Sequence, residues 1–403
     1  MDISNSKKFN LDILTKLGTH HKTIMELVKS NINSMNTNKE LYNFVNNYLI
    51  EHSINKAFPI GISINEIIAH DSYHKDNKIK FNDGDLIKVD IGLEEDGNII
   101  DSARTFIYTP MTTNPTTPMT TSPTTLMTAN PTTPMTTSPT TPMTTNPTTP
   151  MTTNPTTPMT TNPNASKNAT SPNADRAYKE EDTKAVGVCR EIVKNVEIFI
   201  RNEYATNKKI NIQKISNEIY NNITANGYHA LDFLGGHTIE HGKVHGKKLI
   251  LNKPLTHLPE QCKSFINAND ELVEGEMFAI EVFIPNKKTN GYMMQNDKLL
   301  ITHYELNDEL IEIEGGIDKV GLRDPEQDVL KDIATTTKGL PYEYRIHDKY
   351  DKYIIKSLIT KGYIKKHLPL QWVDRDKKKI KYIHYEDCFI IDPVKGIVNL
   401  NNM

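Results

Sequence analysis

Apolar residues along this chain recur at two spacings, and each predicts a kind of element. From residue 9 to 52 the spacing is helical. Thr37 and Glu40 form a capping box ahead of Leu41, Phe44, Val45, Tyr48 and Leu49, which share one face and predict packing on a core. Helical order returns near Tyr178, with Val186, Cys189, Val193, Val196 and Ile200 on one face. A further helix carries Ile212, Ile215, Ile219 and Ile223, and Gly227 supplies its stop. Asp324-Pro325-Glu326-Gln327 combines an N-cap, a proline at the first helical position and a box residue, predicting a helix that ends near Gly339. Another is expected from about Asp348 to Thr360, with Gly362 beyond it. The basic run from Asp374 to Lys381 is a solvated turn before the last strand.

Strand spacing appears elsewhere. Phe58-Pro59-Ile60 leads into a strand-like segment ending at His70. Two apolar-rich runs flank Asp96-Gly97 between Asp85 and Thr105, a strong hairpin signal. With that pair as the turn, Glu95 faces Asn98, Gly92 faces Asp101 and Asp90 faces Ala103. Asp90 and Asp101 are then diagonal neighbours on one face, with Cα atoms roughly 7–8 Å apart. Two such carboxylates can converge on cations, with Gly92 adding no side chain between them; for the hairpin alone, an exposed turn with incidental acids is the simpler reading. Residues 277–284, MFAIEVFI, form a strand with one ionisable residue, Glu281, and a buried carboxylate is costly unless paired or metal-bound. IHYEDCFII repeats that pattern around Glu386.

Composition changes the picture in one place. Between residues 110 and 164 the unit PMTTNPTT recurs with a period of eight, rich in Thr and Pro and without charge. Such a segment cannot offset its ordering entropy, so a disordered insertion is expected over residues 110–173. The sequons at Asn164 and Asn168 are expected to be idle. The tract accounts for part of the low apolar content of 37%. A net charge of −3 argues against a nucleic-acid scavenger. Cys189, Cys262 and Cys388 are too few and too scattered for a disulfide framework or a cysteine zinc site. Neither a span of about 18 apolar residues nor a signal-peptide core is present, so a cytoplasmic protein is expected. The stretch from Gly227 to Gly246 holds His229, His237, His241 and His245, and Gly235-Gly236 permits close backbone approach before His237. By itself it reads either as a site or as a polar surface loop.

Taken in order, Asp90, Asp101, His237, Glu281 and Glu386 resemble the ligand series of the pita-bread metallopeptidases, and local matches resemble methionine aminopeptidase type 2. AFPIGISINEIIAH is similar to that family's segment before its active-site histidine, here His70. KVDIG and NIIDSA resemble its Asp strands, GGHTIEHGKVH its histidine motif with His237 and His245, EGEMFAIEVF its first Glu strand, and THYELND the segment of a pocket histidine, here His303. The likeness spans almost the whole chain outside residues 110–173. Glu281 and Glu386 are 105 residues apart, and residues 323–368 fit the helical insertion of type 2. Two departures stand out. The family's Asn-Gly-His is Gly235-Gly236-His237 here, and its Gly-Gln-Tyr is Glu240-His241-Gly242, which puts substrate contacts in that loop in doubt.

The resemblance implies an α+β pita-bread fold: a single catalytic domain over residues 1–403, with a curved antiparallel sheet, outer helices and two pseudo-symmetric halves. It implies two divalent ions (Co, Mn, Fe or Zn), with Asp90 on one, His237 and Glu281 on the other, and Asp101 and Glu386 bridging. It gives Glu386, His70 and His245 catalytic roles and places Phe58, Val244 and His303 in the substrate pocket with His70 and His245. The implied activity is removal of the initiator methionine from nascent chains by a monomer, with the ribosome a candidate partner and neither DNA nor membrane involved. A binding homologue contacting ribosome, RNA or protein, or an aminopeptidase of altered specificity, is the competing expectation.

Overall fold

The structure is a computed structural model that describes residues 8–111, 172–263 and 266–402. The expectation of disorder over residues 110–173 falls almost wholly outside them.

The first sheet is built on the expected hairpin. Strands Leu86–Glu95 and Asn98–Ile107 pair in the register set by Asp96-Gly97, with Glu95 opposite Asn98, Gly92 opposite Asp101 and Asp90 opposite Ala103. Both turn residues have positive φ, 52° and 80°, as a tight turn matching the strand twist requires. Strand Gly61–Ile64 adds on the other edge, with Gly61 opposite Asp90. Helices Leu11–Asn31 and Asn38–Glu51 cover this sheet and share one apolar core with it. Thr37 Oγ accepts the amide of Glu40 at 3.3 Å, but the Glu40 carboxylate reaches back to the Asn36 amide instead of the cap residue's own.

The second sheet runs in the order Gly396–Asn399, Tyr382–Asp392, Met277–Pro285, Gly235–Ile239, Leu249–Leu251. All of its pairs are antiparallel. Helices Pro172–Asn207 and Ile212–Ala225 pack on it through Cys189, Val193, Val196, Ile200 and the four predicted isoleucines. Gly236 is needed where it stands, because a Cβ there would lie 1.9 Å from the Ala279 carbonyl of the neighbouring strand.

The two sheets do not form one hydrogen-bonded ladder. They meet where strand Asn98–Ile107 runs beside Tyr382–Asp392. There Ser102 Oγ donates to the Glu386 carbonyl at 2.6 Å, and Thr105 Oγ donates to the His384 carbonyl at 2.8 Å while accepting its amide at 2.9 Å. The Arg104 guanidinium also reaches the Glu386 carbonyl and the Asp387 carboxylate. These side chains hold the aspartate strand against the glutamate strand.

The segment expected as a helical insertion, with the strand before it, has a core that includes Leu306, Leu330, Ile333, Leu358 and Ile364. Two boundaries shift from expectation. Asp324 is the first residue of helix Asp324–Thr337 and Arg323 is its cap. The following helix spans Lys352–Thr360, capped by Asp351, after a 3-10 turn over Tyr344–Lys349. Buried Glu326 ties the insertion together, accepting from Arg323, Ser357 and Lys361. These three partners hold its carboxyl well below the usual range.

Because the Thr/Pro composition of residues 112–172 offers little to bury, replacing that tract by a short Gly/Ser linker is expected to leave the melting temperature within about 3 °C and metal content unchanged, since changes away from packed features are worth about 0.5 kcal/mol or less. A collapse in either would make the tract structural.

Candidate metal centre and pocket

The five residues of the ligand series converge where the two sheets meet. Asp90 and Asp101 come from the hairpin as diagonal neighbours. Glu281 and Glu386 are directly opposite each other across the antiparallel pair of the second sheet. His237 enters from strand Gly235–Ile239. Its Nε2 lies 3.6 Å from Asp101 Oδ2 and 3.4 Å from Glu281 Oε1. Its Nδ1–H donates to the Thr238 carbonyl at 3.0 Å, which leaves the Nε2 lone pair facing the acids.

Two sets of donor atoms each fall within 4.8 Å: Asp90, His384 and Glu386, and Asp101, His237 and Glu386. Glu386 is common to both. Among the described residues, Asp90 Oδ1, Asp101 Oδ1 and Glu386 Oε1 are buried with no hydrogen-bond partner. Buried carboxylate oxygens without donors are what a cation would satisfy, so this donor set fits divalent metal. Asp90 and Glu281 are partly exposed toward the cavity, whereas Asp101, His237 and Glu386 are buried.

The electrostatics agree. Burial pushes the Asp90 carboxyl up to about 7. Burial and then the neighbouring carboxylates raise Asp101, Glu281 and Glu386 well above the ordinary range. Burial lowers His237 to about 4, the neutral form that binds metal. A carboxyl whose folded-state pKa lies above its unfolded value of about 3.9 penalises the fold once ionised, and the penalty disappears as pH falls through the folded value. Cations offset the penalty at high pH and must displace protons at low pH. The melting-temperature gap between metal-loaded and chelator-treated protein is therefore expected to be several degrees at pH 8 and to shrink at pH 5.5. An equal gap at both would contradict this electrostatic account.

Beside the acids lies a cavity with apolar walls that include Phe58, Ile68, Leu234, Val244, Phe283 and Pro341, and with His70, His245, His303 and His367 facing it. Val244 is buried, and Phe58 also fills the space over Gly92, where a Cβ would meet its ring at 2.2 Å. The gap expected at Gly92 thus belongs to Phe58. The His245 ring lies 4.6 Å from that of His237, and the His70 ring is 5.5 Å from His367 and 6.2 Å from His303. Burial keeps His70 at about 4, and holds His245 and His303 well below the ordinary value. His70 has φ 62°, an unfavourable backbone for a non-glycine residue, and such strain concentrates at functional positions.

Not every histidine of the 227–246 stretch is there. His229 packs toward Trp372. His241 sits over Gly97 and near Phe9, and the Gly242 amide donates to the Gly97 carbonyl at 2.7 Å. The Glu240-His241-Gly242 departure thus docks on the hairpin turn, and none of these three residues lines the cavity.

Sequence reasoning missed three ionisable residues lining the cavity. His384 is two residues before Glu386 and so shares its strand face, a period-two signal that was available. His367 pairs opposite His303 across strands, and its Nε2 lies 3.2 Å from a Glu305 oxygen; that pairing had no local sign. Lys88 is buried, donates to the Asn65 and Tyr382 carbonyls at 3.0 and 3.1 Å, and is pushed down to about 7 by burial.

Acidic and imidazole donors thus gather between two antiparallel sheets with outer helices. In comparison with known proteins, the profile described as Metallopeptidase family M24 matches residues 13–120. The chain is also similar to curated proteins named methionine aminopeptidase 2. It is 24% identical to methionine aminopeptidase 2 of Neurospora crassa over 350 residues, 85% of this chain and 59% of that one. The protein of the same name from Sordaria macrospora is also 24% identical over 350 residues, covering 85% of this chain and 58% of its own length. The chain thus spans less than two thirds of those relatives. Among solved structures, a methionine aminopeptidase from Thermotoga maritima superposes with a TM-score of 0.51 at 13% identity, covering 98% of this chain and 99% of its own. A thermophilic Arx1 gives 0.58 at 14% identity, covering 97% and 91%. These likenesses carry the fold.

Proposed function

We propose that this chain is a metalloaminopeptidase that hydrolyses the N-terminal methionine from nascent polypeptides. The observation that carries the proposal is the convergence of Asp90, Asp101, His237, Glu281 and Glu386, with unpartnered buried oxygens, beside an apolar cavity that also holds His70 and His245. Asp90, Asp101, His237, Glu281 and Glu386 would hold the cations, with Glu386 shared between both donor sets. A cation pair held there supplies Lewis acidity, activating water at neutral pH and polarising a carbonyl.

The remaining steps belong to the chain's own side chains. Phe58, Val244 and His303 form walls that suit an unbranched apolar side chain with a polarisable sulfur. Placing that side chain in the cavity brings the first peptide bond to the acids. His70 and His245, both neutral, can donate a hydrogen bond to the substrate's peptide group as charge develops. Glu386 would accept a proton at its carboxylate and pass it to the departing amine. Among the described residues no helix is long and apolar enough to cross a membrane, and we place the activity in the cytoplasm, where nascent chains emerge.

The test is methionine release from a Met-Ala-Ser peptide by purified protein loaded with Mn(II), Fe(II), Co(II) or Zn(II), with metal content measured beside it. Turnover that needs metal and falls sharply for a peptide beginning with Lys or Asp supports the reading. Full metal content with no release from any methionine-initiated peptide would overturn the aminopeptidase reading in favour of a binding protein.

A further inference from the structure

We propose that His384 is a sixth protein ligand of the centre, so that each of its two cations is held by one imidazole. The proposal rests on the metal reading above. Buried His384 Nε2 has no hydrogen-bond partner among the described residues. It lies 3.5 Å from Glu281 Oε2 and 3.6 Å from Glu386 Oε2. Those separations are long for hydrogen bonds to a carboxylate. They suit neighbouring ligands of one ion: two donor atoms each about 2 Å from a tetrahedral cation lie roughly 3.3 Å apart.

The imidazole is also held in place. Its backbone amide and carbonyl are both bound by Thr105 Oγ, at 2.9 and 2.8 Å. Its ring stacks on Phe283 with centroids 4.0 Å apart and an interplanar angle of 17°. His384 and Glu386 alternate along strand Tyr382–Asp392, so both side chains leave on the same face.

Two donor sets share Glu386, with Glu281 beside both imidazoles, 3.4 Å from His237 Nε2 and 3.5 Å from His384 Nε2. One holds Asp101 and His237; the other holds Asp90 and His384. Without His384 the Asp90 side is oxygen only, a preference shared by Mg(II) and Mn(II). Imidazole shifts a site toward Zn(II) and Fe(II). His384 is thus a selectivity device for one of the two cations.

The experiment uses the full chain, wild type and His384→Gln, with Co(II), Zn(II) and Mn(II) alone as probes. X-ray absorption of wild type loaded with two Co(II) should count one imidazole per cation. A half imidazole per cation would mean that His384 only packs behind the acids. In competition titrations, His384→Gln should weaken one of two Zn(II) affinities by more than about 10²-fold, given that loss of groups merely behind a ligand costs about 10–100-fold. Mn(II) affinity should change less, so the Zn(II)/Mn(II) ratio falls. Unchanged affinities for both metals in the variant would overturn the proposal. The spectroscopic count is made on wild type and does not depend on the variant's folding. Wild type that takes up no divalent cation would defeat the metal reading itself, whereas two bound cations with half an imidazole each would defeat only His384.

Discussion

Asp101→Asn is expected to empty the centre. Asp101 is buried, 3.6 Å from His237 Nε2, and one of its oxygens has no partner among the described residues. An amide oxygen is neutral and binds these cations weakly. Losing groups behind a ligand already costs about 10–100-fold in metal affinity, so losing a ligand itself should cost more than about 10²-fold. Aminopeptidase activity should fall with metal content. Stability should move the other way. The amide removes a negative charge from a cluster in which Asp90, Glu281 and Glu386 are raised by burial and, in the two glutamates, by neighbouring carboxylates. Chelator-treated Asp101→Asn should therefore melt higher than chelator-treated wild type at pH 8. Metal analysis and paired melting curves read both effects. Normal stoichiometry with a lower apo melting temperature would remove Asp101 from the ligand set.

Changing His70 should fail differently. It lines the cavity but belongs to neither donor set. Its proposed work is a hydrogen bond to the substrate that strengthens in the transition state, and roles of that kind are worth about 10²–10⁴-fold. Such a loss lowers kcat and kcat/KM together. The backbone decides which substitution is informative. His70 has φ 62°, where alanine would add strain of roughly 1–2 kcal/mol and asparagine is tolerated. His70→Asn should thus keep the fold and both metals while turnover falls within that range. Loss of metal would make His70 a ligand; full activity would make it a structural histidine held by its turn.

Much of this was legible because its signals are local. The Asp-Gly turn sets the parity of the hairpin, so the diagonal placement of Asp90 and Asp101 followed from counting outward, and the structure has that register. Glu281 stood out because an acid amid apolar strand residues needs a partner. Helical spacing marked Ile212, Ile215, Ile219 and Ile223, all of which are buried. Helix starts were less secure. Arg323 caps a helix whose cap was expected at Asp324, and Asp351 one expected to start near Asp348, because several polar residues near each start could serve.

What local pattern could not decide is which distant segments lie side by side. Glu281 and Glu386 are direct cross-strand partners although 105 residues separate them, and no periodicity within either strand encodes that register. The junction of the sheets rests on Ser102 and Thr105, ordinary strand residues until their hydroxyls meet the backbone of Glu386 and His384. His367 faces the cavity because its strand pairs with the one beginning at His303. His241 lies in a sequence as rich in histidine as any, yet packs over the hairpin turn. A strand's own residues determine which side chains share a face; which face closes on which, and hence which donors can share a cation, is set only when long-range pairing and packing bring the faces together.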